Sequence, residues 1–211
     1  MTNLAIDEAG TSLNPAKREQ ILLGAQAVFL ARGYEGASMS LIAREAGVSK
    51  GTLYVYFDNK EALFAAFMES ACRLQAGRAF EVLNRPEPVD QVLSAFGHEF
   101  LRFLLGDHVQ SVRRLVIGES KKFPELGRAY YDTGPRVATD RLKEFLKRRV
   151  ETGELDIDDL SLAATQFLNL CQADLVLMRH VNVIETATPQ RIAHVIERAV
   201  WLFLKGYGAH R

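Results

Sequence analysis

From Lys50 to Phe57 the chain carries an ammonium, a glycine, a threonine hydroxyl, two phenols and a valine around Leu53 and Phe57. Wound as a helix at about 100° per residue, Leu53 and Phe57 share one face and bury. Gly51, Thr52, Tyr54 and Val55 then point away from it, with Lys50 and Tyr56 on its flanks. A face turned only to water is ordinarily built of Glu, Lys and Gln. This one presents groups that suit a nucleotide duplex. Tyr54 and Tyr56 can donate to phosphate oxygens, which sets register without reading sequence. Thr52 and Val55 can reach base edges, the thymine methyl included. Gly51 removes a side chain where backbone must come close to the duplex. Lys50 and Lys60 stand near helix N-termini, where amides and the macrodipole favour an anion.

These side chains need a frame. Ser38 is placed to cap a short helix whose stripe is Leu41, Ile42 and Ala46. Gly47 ends it, as a residue able to take positive φ should. Ser49 caps the helix from Lys50 to Phe57, and Asp58 caps the next, with Glu61 three residues on as its reciprocal partner. Two helices joined by so short a turn give the steep angle that lets one of them enter a major groove. Upstream, Asn14-Pro15 is a helix start, Ile21, Leu22, Ala25, Val28 and Phe29 form its apolar stripe, and Gly33 ends it.

The run from Ala43-Arg-Glu-Ala-Gly-Val-Ser through Lys50-Gly-Thr-Leu-Tyr-Val-Tyr-Phe to Asp58-Asn-Lys-Glu-Ala-Leu63 resembles the DNA-binding motif of the TetR family of transcriptional regulators throughout. With Gly33-Tyr34 and the preceding helix, the likeness extends back to about Asn14. The resemblance implies that Ser38, Ser40, Lys50, Gly51, Thr52, Tyr54, Tyr56 and Lys60 occupy DNA-contact positions, and that Ser40 and Val55 stand where family members vary. It also implies an all-α chain: a three-helix helix-turn-helix domain over residues 14–60, then a larger helical ligand-sensing and dimerisation domain over residues 61–211, with about nine helices in all.

Composition alone does not point to nucleic acid. The formal net charge is +0, hydrophobic residues make up 48% and charged residues 25%, ordinary values for a globular protein. Ser38 to Lys60 sets three basic residues against two acidic ones. A sequence-indifferent, strongly basic DNA coat is excluded, and non-specific affinity should be modest. Cys72 and Cys171 are far apart with no Cys-x-x-Cys spacing, which suits two buried thiols in a reducing compartment; thiol sensing is the sharper alternative. The longest apolar run, Ala199 to Leu204, is far too short to span a bilayer, and no leader opens the chain, so a cytoplasmic protein without membrane partners is expected.

The helix opened by Asp58 runs to about Leu83, over roughly 30 Å at about 1.5 Å per residue. Asn84-Arg-Pro-Glu-Pro88 breaks the chain. Further helices are expected from Val89 to Leu105, His108 to Ser120, Phe123 to Gly134 and Pro135 to Glu151, and two long apolar ones from Asp158 to His180 and Pro189 to Gly206. No strand pattern is present, and Met1 to Leu13 reads as a frayed tail.

The last two helices carry apolar residues on more than one face, so one face packs internally and the other needs a partner. The economical partner is the same pair from a second subunit, with Phe167, Leu170, Leu175, Met178, Ile192, Val195, Ile196, Val200 and Phe203 as interface candidates. The bland alternative is that both faces are internal core. The family resemblance implies the dimer, and a helix-turn-helix dimer reads a palindromic or near-palindromic operator. Thr165, Asn169 and Gln172 make a polar stripe at helical spacing, either lining a pocket for a small-molecule inducer or facing solvent or the dimer partner. Phe96, Phe100, Phe103, Tyr130 and Tyr131 are candidate walls of such a pocket, and Arg113 and Glu119 either pair or face the ligand. The run Leu115-Val-Ile-Gly-Glu-Ser-Lys-Lys-Phe-Pro-Glu-Leu126 resembles the sensor domain of the AefR-like branch of the family.

Two other classes fit the sequence less well. For an enzyme, His98, His108, His180, His194 and His210 form no His-Glu-x-x-His site, and there is no P-loop, Gly-x-Gly-x-x-Gly or Gly-x-Ser-x-Gly. No metal, cofactor or catalysis is therefore expected. A helical adaptor that binds only protein would leave Thr52, Tyr54 and Tyr56 without a role.

Overall fold

The computed structural model describes residues 14–209, without the side chains of residues 72–76 and 78. The expectations for the tail, for His210 and for the Cys72 thiol lie outside the described residues. Eleven helices follow one another: α1 (Pro15–Gly36), α2 (Met39–Glu45), α3 (Lys50–Tyr56), α4 (Lys60–Val82), α5 (Val89–Leu105), α6 (Asp107–Glu119), α7 (Pro124–Thr133), α8 (Pro135–Glu151), α9 (Leu160–Gln172), α10 (Leu175–His180) and α11 (Pro189–Tyr207). Among the described residues the only extended pairing is one isolated bridge, Leu155 to Gly208.

Most boundaries follow from local chemistry. The Asn14 side chain accepts from the Ala16 and Lys17 amides, and Pro15 opens α1. Gly33, at φ 72° and ψ 174°, kinks α1, which resumes for one short turn to Gly36 rather than ending there. Ser38 accepts from Leu41 N–H and Ser49 from Thr52 N–H, while Gly47 turns the chain between α2 and α3 at φ 63°. One cap is displaced. Asn59, not Asp58, accepts from Ala62 N–H at 2.7 Å and opens α4. Phe57 is extended and buried at the end of α3, so the chain needs one more residue to turn than the Asp58–Glu61 spacing allowed.

The chain forms two compact units. The first runs through Ala71 and also takes in Ser111–Thr133. Its core joins Ile21, Leu22, Phe29 and Tyr34 of α1 to Ile42, Leu53 and Phe57, and to Leu63, Phe64, Phe67 and Met68 of α4. Val112, Val116 and Leu126 complete it. A unit cut at residue 60 would leave that core open, which is why the compact unit is larger than residues 14–60. Phe29, Tyr34, Phe64, Phe67 and Phe123 pack ring against ring at its centre. Gly24 is buried where α1 crosses the end of α2; a Cβ there would stand 2.7 Å from Ala46 backbone atoms.

The second unit comprises Cys72–Gln110 and Gly134–Arg211, with a core of Leu93, Phe96, Leu142, Phe145, Phe167, Ile196 and Phe203 among others. Arg149 holds the 84–88 break, donating to Arg85 O at 3.2 Å and Glu87 O at 2.8 Å, and to Glu154 at 2.7 Å. Burial alone would raise the Glu154 carboxyl, but bonds from Arg149, the Val89 amide and Thr152 outweigh it and hold the group below its ordinary range. The expected helix from Asp158 to His180 is two helices. Ala173 sits at φ 42° and ψ −130° between α9 and α10, a conformation that costs an alanine roughly 1–2 kcal/mol. The break lets Leu175 and Val176 turn into the core. Among the described residues the helices thus number eleven, against the expected nine or so.

Candidate nucleic-acid interface

Leu53 (0% exposed) and Phe57 anchor α3 to the first core, and what remains of the helix faces out. Lys50, Gly51, Tyr54 (42%) and Val55 (55%) are exposed. The Lys50 ammonium lies 5.8 Å from the Tyr54 ring centroid, so cation and phenol share one patch. Ser38 and Ser40, at the start of α2, are exposed as well. Thr52 is half-buried, its hydroxyl 2.8 Å from that of Ser49.

Two expected phosphate partners are already engaged. The Tyr56 hydroxyl accepts from Asn14 N–H at 3.1 Å and donates to Asn14 O at 3.4 Å, tying α3 to the start of α1. The Lys60 ammonium donates to Tyr34 O at 2.8 Å and Ala37 O at 3.0 Å, and lies 4.2 Å from the Tyr34 ring centroid. Both side chains hold the frame. Burial pushes the Tyr34 phenol well above its usual range, so this core ring stays neutral.

The candidate pocket residues are divided between the two units. Arg113 and Tyr130 belong to the first unit, where Tyr130 packs on its core. Phe96 and Phe100 are buried in the core of the second, and Phe103 is half-buried. The polar stripe satisfies itself along its own helix: Thr165 donates to Ser161 O at 3.0 Å, and Gln172 to Leu168 O at 3.1 Å and Asn169 Oδ1 at 3.4 Å. Thr165 and Asn169 face solvent. The polar interior of the second unit lies elsewhere. Gln110, fully buried, donates to Leu104 O at 2.6 Å and lies 3.3 Å from His180 Nδ1. Burial pulls the His98 and His108 imidazoles below their ordinary value. Nothing in the spacing of Gln110 distinguishes it from a surface glutamine, so the sequence reading passed over it. Cys171 is buried beside Gly97 and Ile196, and burial pushes its thiol up.

The candidate interface residues are likewise internal. Phe167, Leu175, Ile192, Val195, Ile196, Val200 and Phe203 are all buried in the protomer's own core, and Leu170 and Met178 are half-buried. The apolar side chains left outside are different ones: Leu162 (51%), Leu177 (64%), Trp201 (46%) and Leu202 (50%). The Arg198 guanidinium lies 4.2 Å from the Trp201 ring centroid. The inward stripe takes the positions named from the sequence, and the second face falls on their neighbours.

Among the described residues no three metal-ligating side chains gather, and no helix is long and apolar enough to cross a membrane. Residues 91–209 match the C-terminal domain of AefR-like transcriptional repressors, and residues 21–67 match the bacterial regulatory proteins of the tetR family. The chain is 26% identical over 184 residues to the HTH-type transcriptional repressor AcnR of Corynebacterium diphtheriae, covering 87% of this chain and 91% of that one. The solved structure of the flavonoid-responsive regulator FrrA is similar with a TM-score of 0.81 at 32% identity, covering 94% of this chain and 100% of that one. A TetR-family regulator from Mesorhizobium loti shares the fold with a TM-score of 0.83 at 24% identity, over 94% of this chain and 100% of that one. An outward α3 held by buried Leu53 and Phe57, in a frame that these matches cover over most of its length, makes this chain a DNA-binding transcriptional regulator of the TetR family.

Proposed function

We propose that the protein is a dimeric repressor that leaves its operator when a small molecule binds the second unit. The observation that carries the DNA contact is the outward face of α3, where Lys50, Gly51, Tyr54 and Val55 stand exposed while Leu53 and Phe57 are sealed. Val55 and Thr52 read base edges; Lys50, Tyr54, Ser38 and Ser40 set the register on phosphates. Tyr56 and Lys60 contribute chiefly by holding the frame. The operator has two half-sites related by the dimer axis, about 34–36 Å apart or a multiple of that. A chromosomal target places this work in the cytoplasm.

Leu162, Leu177, Trp201 and Leu202 supply the dimer contact, because an exposed apolar set on α9, α10 and α11 is covered most economically by its own copy. The inducer acts by population shift, favouring a conformation whose half-site spacing misfits the operator. The likeness to a flavonoid-responsive regulator makes planar polyphenols the first class to screen. The test has two parts. A duplex selected by the protein from a random-sequence pool should carry two inverted half-sites, and a polyphenol that raises the melting midpoint should release it. A selected sequence without symmetry sinks the dimeric reading; selection of nothing at low salt sinks the DNA reading.

A further inference from the structure

The turn between α1 and α2 is held from outside the helix-turn-helix. Tyr34 N–H donates to Glu119 Oε1 at 3.1 Å, and Glu119 is the last residue of α6. The same oxygen lies so close to Gly33 that a Cβ there would stand 2.5 Å from it. Gly33 is at φ 72°, so kink and carboxylate occupy one small space. Lys122, just beyond α6, pairs with Glu35. From the other side Lys60 takes the Tyr34 and Ala37 carbonyls. Ala37 leads directly into Ser38, the cap of α2 and a residue of the proposed DNA face.

We infer that Glu119 is a positioning residue for operator binding: its carboxylate fixes the Gly33–Ala37 turn and, through it, the start of α2, without touching DNA. A carboxylate at that place does two things a shorter side chain does not do together. It accepts the amide that the Gly33 kink removes from the helical ladder, since Tyr34 follows the residue where the helix breaks. It also fills the volume that only a glycine leaves open. Lys122–Glu35 is exposed on both sides and adds little. Glu119 is the half-buried partner, so the turn depends chiefly on it.

The inference rests on the DNA-binding reading, and its test separates the two. The probe is the duplex that the wild-type protein selects from a random-sequence pool. E119A should bind it about five- to twenty-fold more weakly, the scale of one lost hydrogen bond at a positioned turn. The slope of log affinity against log salt should stay as in the wild type, because no phosphate contact is lost. E119Q, whose amide oxygen can still accept from Tyr34, should bind within about two-fold of the wild type. Affinities are taken per folded protein, with helicity checked at the assay temperature. Should E119A unfold, E119D takes its place with the same expected outcome. Wild-type affinity in E119A, equal losses in E119A and E119Q, or a slope reduced by about one would each overturn the positioning role alone. A wild type that selects no duplex would overturn both readings.

Discussion

The outward faces of α3 and of α9–α11 both expose large side chains, and they differ in what those side chains carry. On α3 the exposed groups end in a hydroxyl or an ammonium, Val55 excepted, and rise from a helix that Leu53 and Phe57 anchor in the core and the Tyr56 hydroxyl ties to Asn14. On α9–α11 the exposed groups, Leu162, Leu177, Trp201 and Leu202, are hydrocarbon or indole, on helices whose inner stripes are already sealed. Phenols and cations over a thin anchor suit a wet, charged partner that must be read. Hydrocarbon over a complete core suits a dry partner that must only stay. On the proposed reading, the contrast separates recognition from assembly within one chain.

The largest effect should come from removing the anchor of the reading face. Leu53→Ala should destabilise the protein by about 2–5 kcal/mol, seen as a lower denaturant midpoint, and abolish operator binding. If binding survives at full strength, α3 is held by something other than its buried leucine. Next, Leu177→Glu combined with Leu202→Glu should yield folded monomers by sedimentation, and operator affinity should fall by roughly 100-fold or more as one half-site is lost. A dimer that persists would move the interface elsewhere. Lys50→Ala and Tyr54→Ala should each weaken operator binding about ten-fold with the melting midpoint unchanged, and Lys50→Ala should reduce the salt slope by about one. The same substitutions at Tyr56 or Lys60 should lower the melting midpoint as well, because those groups bond to the frame.

Two smaller effects sharpen the second unit. Ala173→Gly should stabilise the protein by up to about 1 kcal/mol, since glycine takes positive φ without strain. A loss of stability would mean that the alanine methyl packs usefully. The Glu154 carboxyl is depressed in the folded state, so its contribution is present above the usual glutamate pKa of about 4.3 and is lost as pH falls through the folded value. Glu154→Gln should therefore flatten the acid side of the stability–pH curve by less than about 1 kcal/mol. An unchanged acid limb would remove Glu154 from the account of how the 84–88 break is held.

Where structure follows from neighbours in sequence, it was legible. Asn14, Ser38 and Ser49 cap where the sequence places them because a cap side chain bonds to amides two or three residues away, and Gly47 turns the chain because its φ is positive. Asp58 was chosen over Asn59 because the burial of Phe57, which sets where α4 can start, is a tertiary fact. Ala173 was invisible: alanine is the strongest helix former, and only packing of Leu175 and Val176 forces it out of the helix. The outer face of α11 was misassigned for a related reason. Apolar residues fill both of its sides, and composition does not say whether Phe203 or Leu202 points inward. Tyr56 and Lys60 carry donors that the sequence suits to phosphate, and in the folded chain those donors meet Asn14, Tyr34 and Ala37, which lie 23 to 42 residues away in sequence.

At the crossing of α1 and α2, Gly24 meets Ala46 with no room for a single methyl group. Such a joint has only the Ala46 methyl to change, and any growth at Gly24 meets backbone, so its angle cannot drift by small steps. On the proposed reading, a change of operator falls to outward positions such as Val55, while the joint that aims them stays as it is.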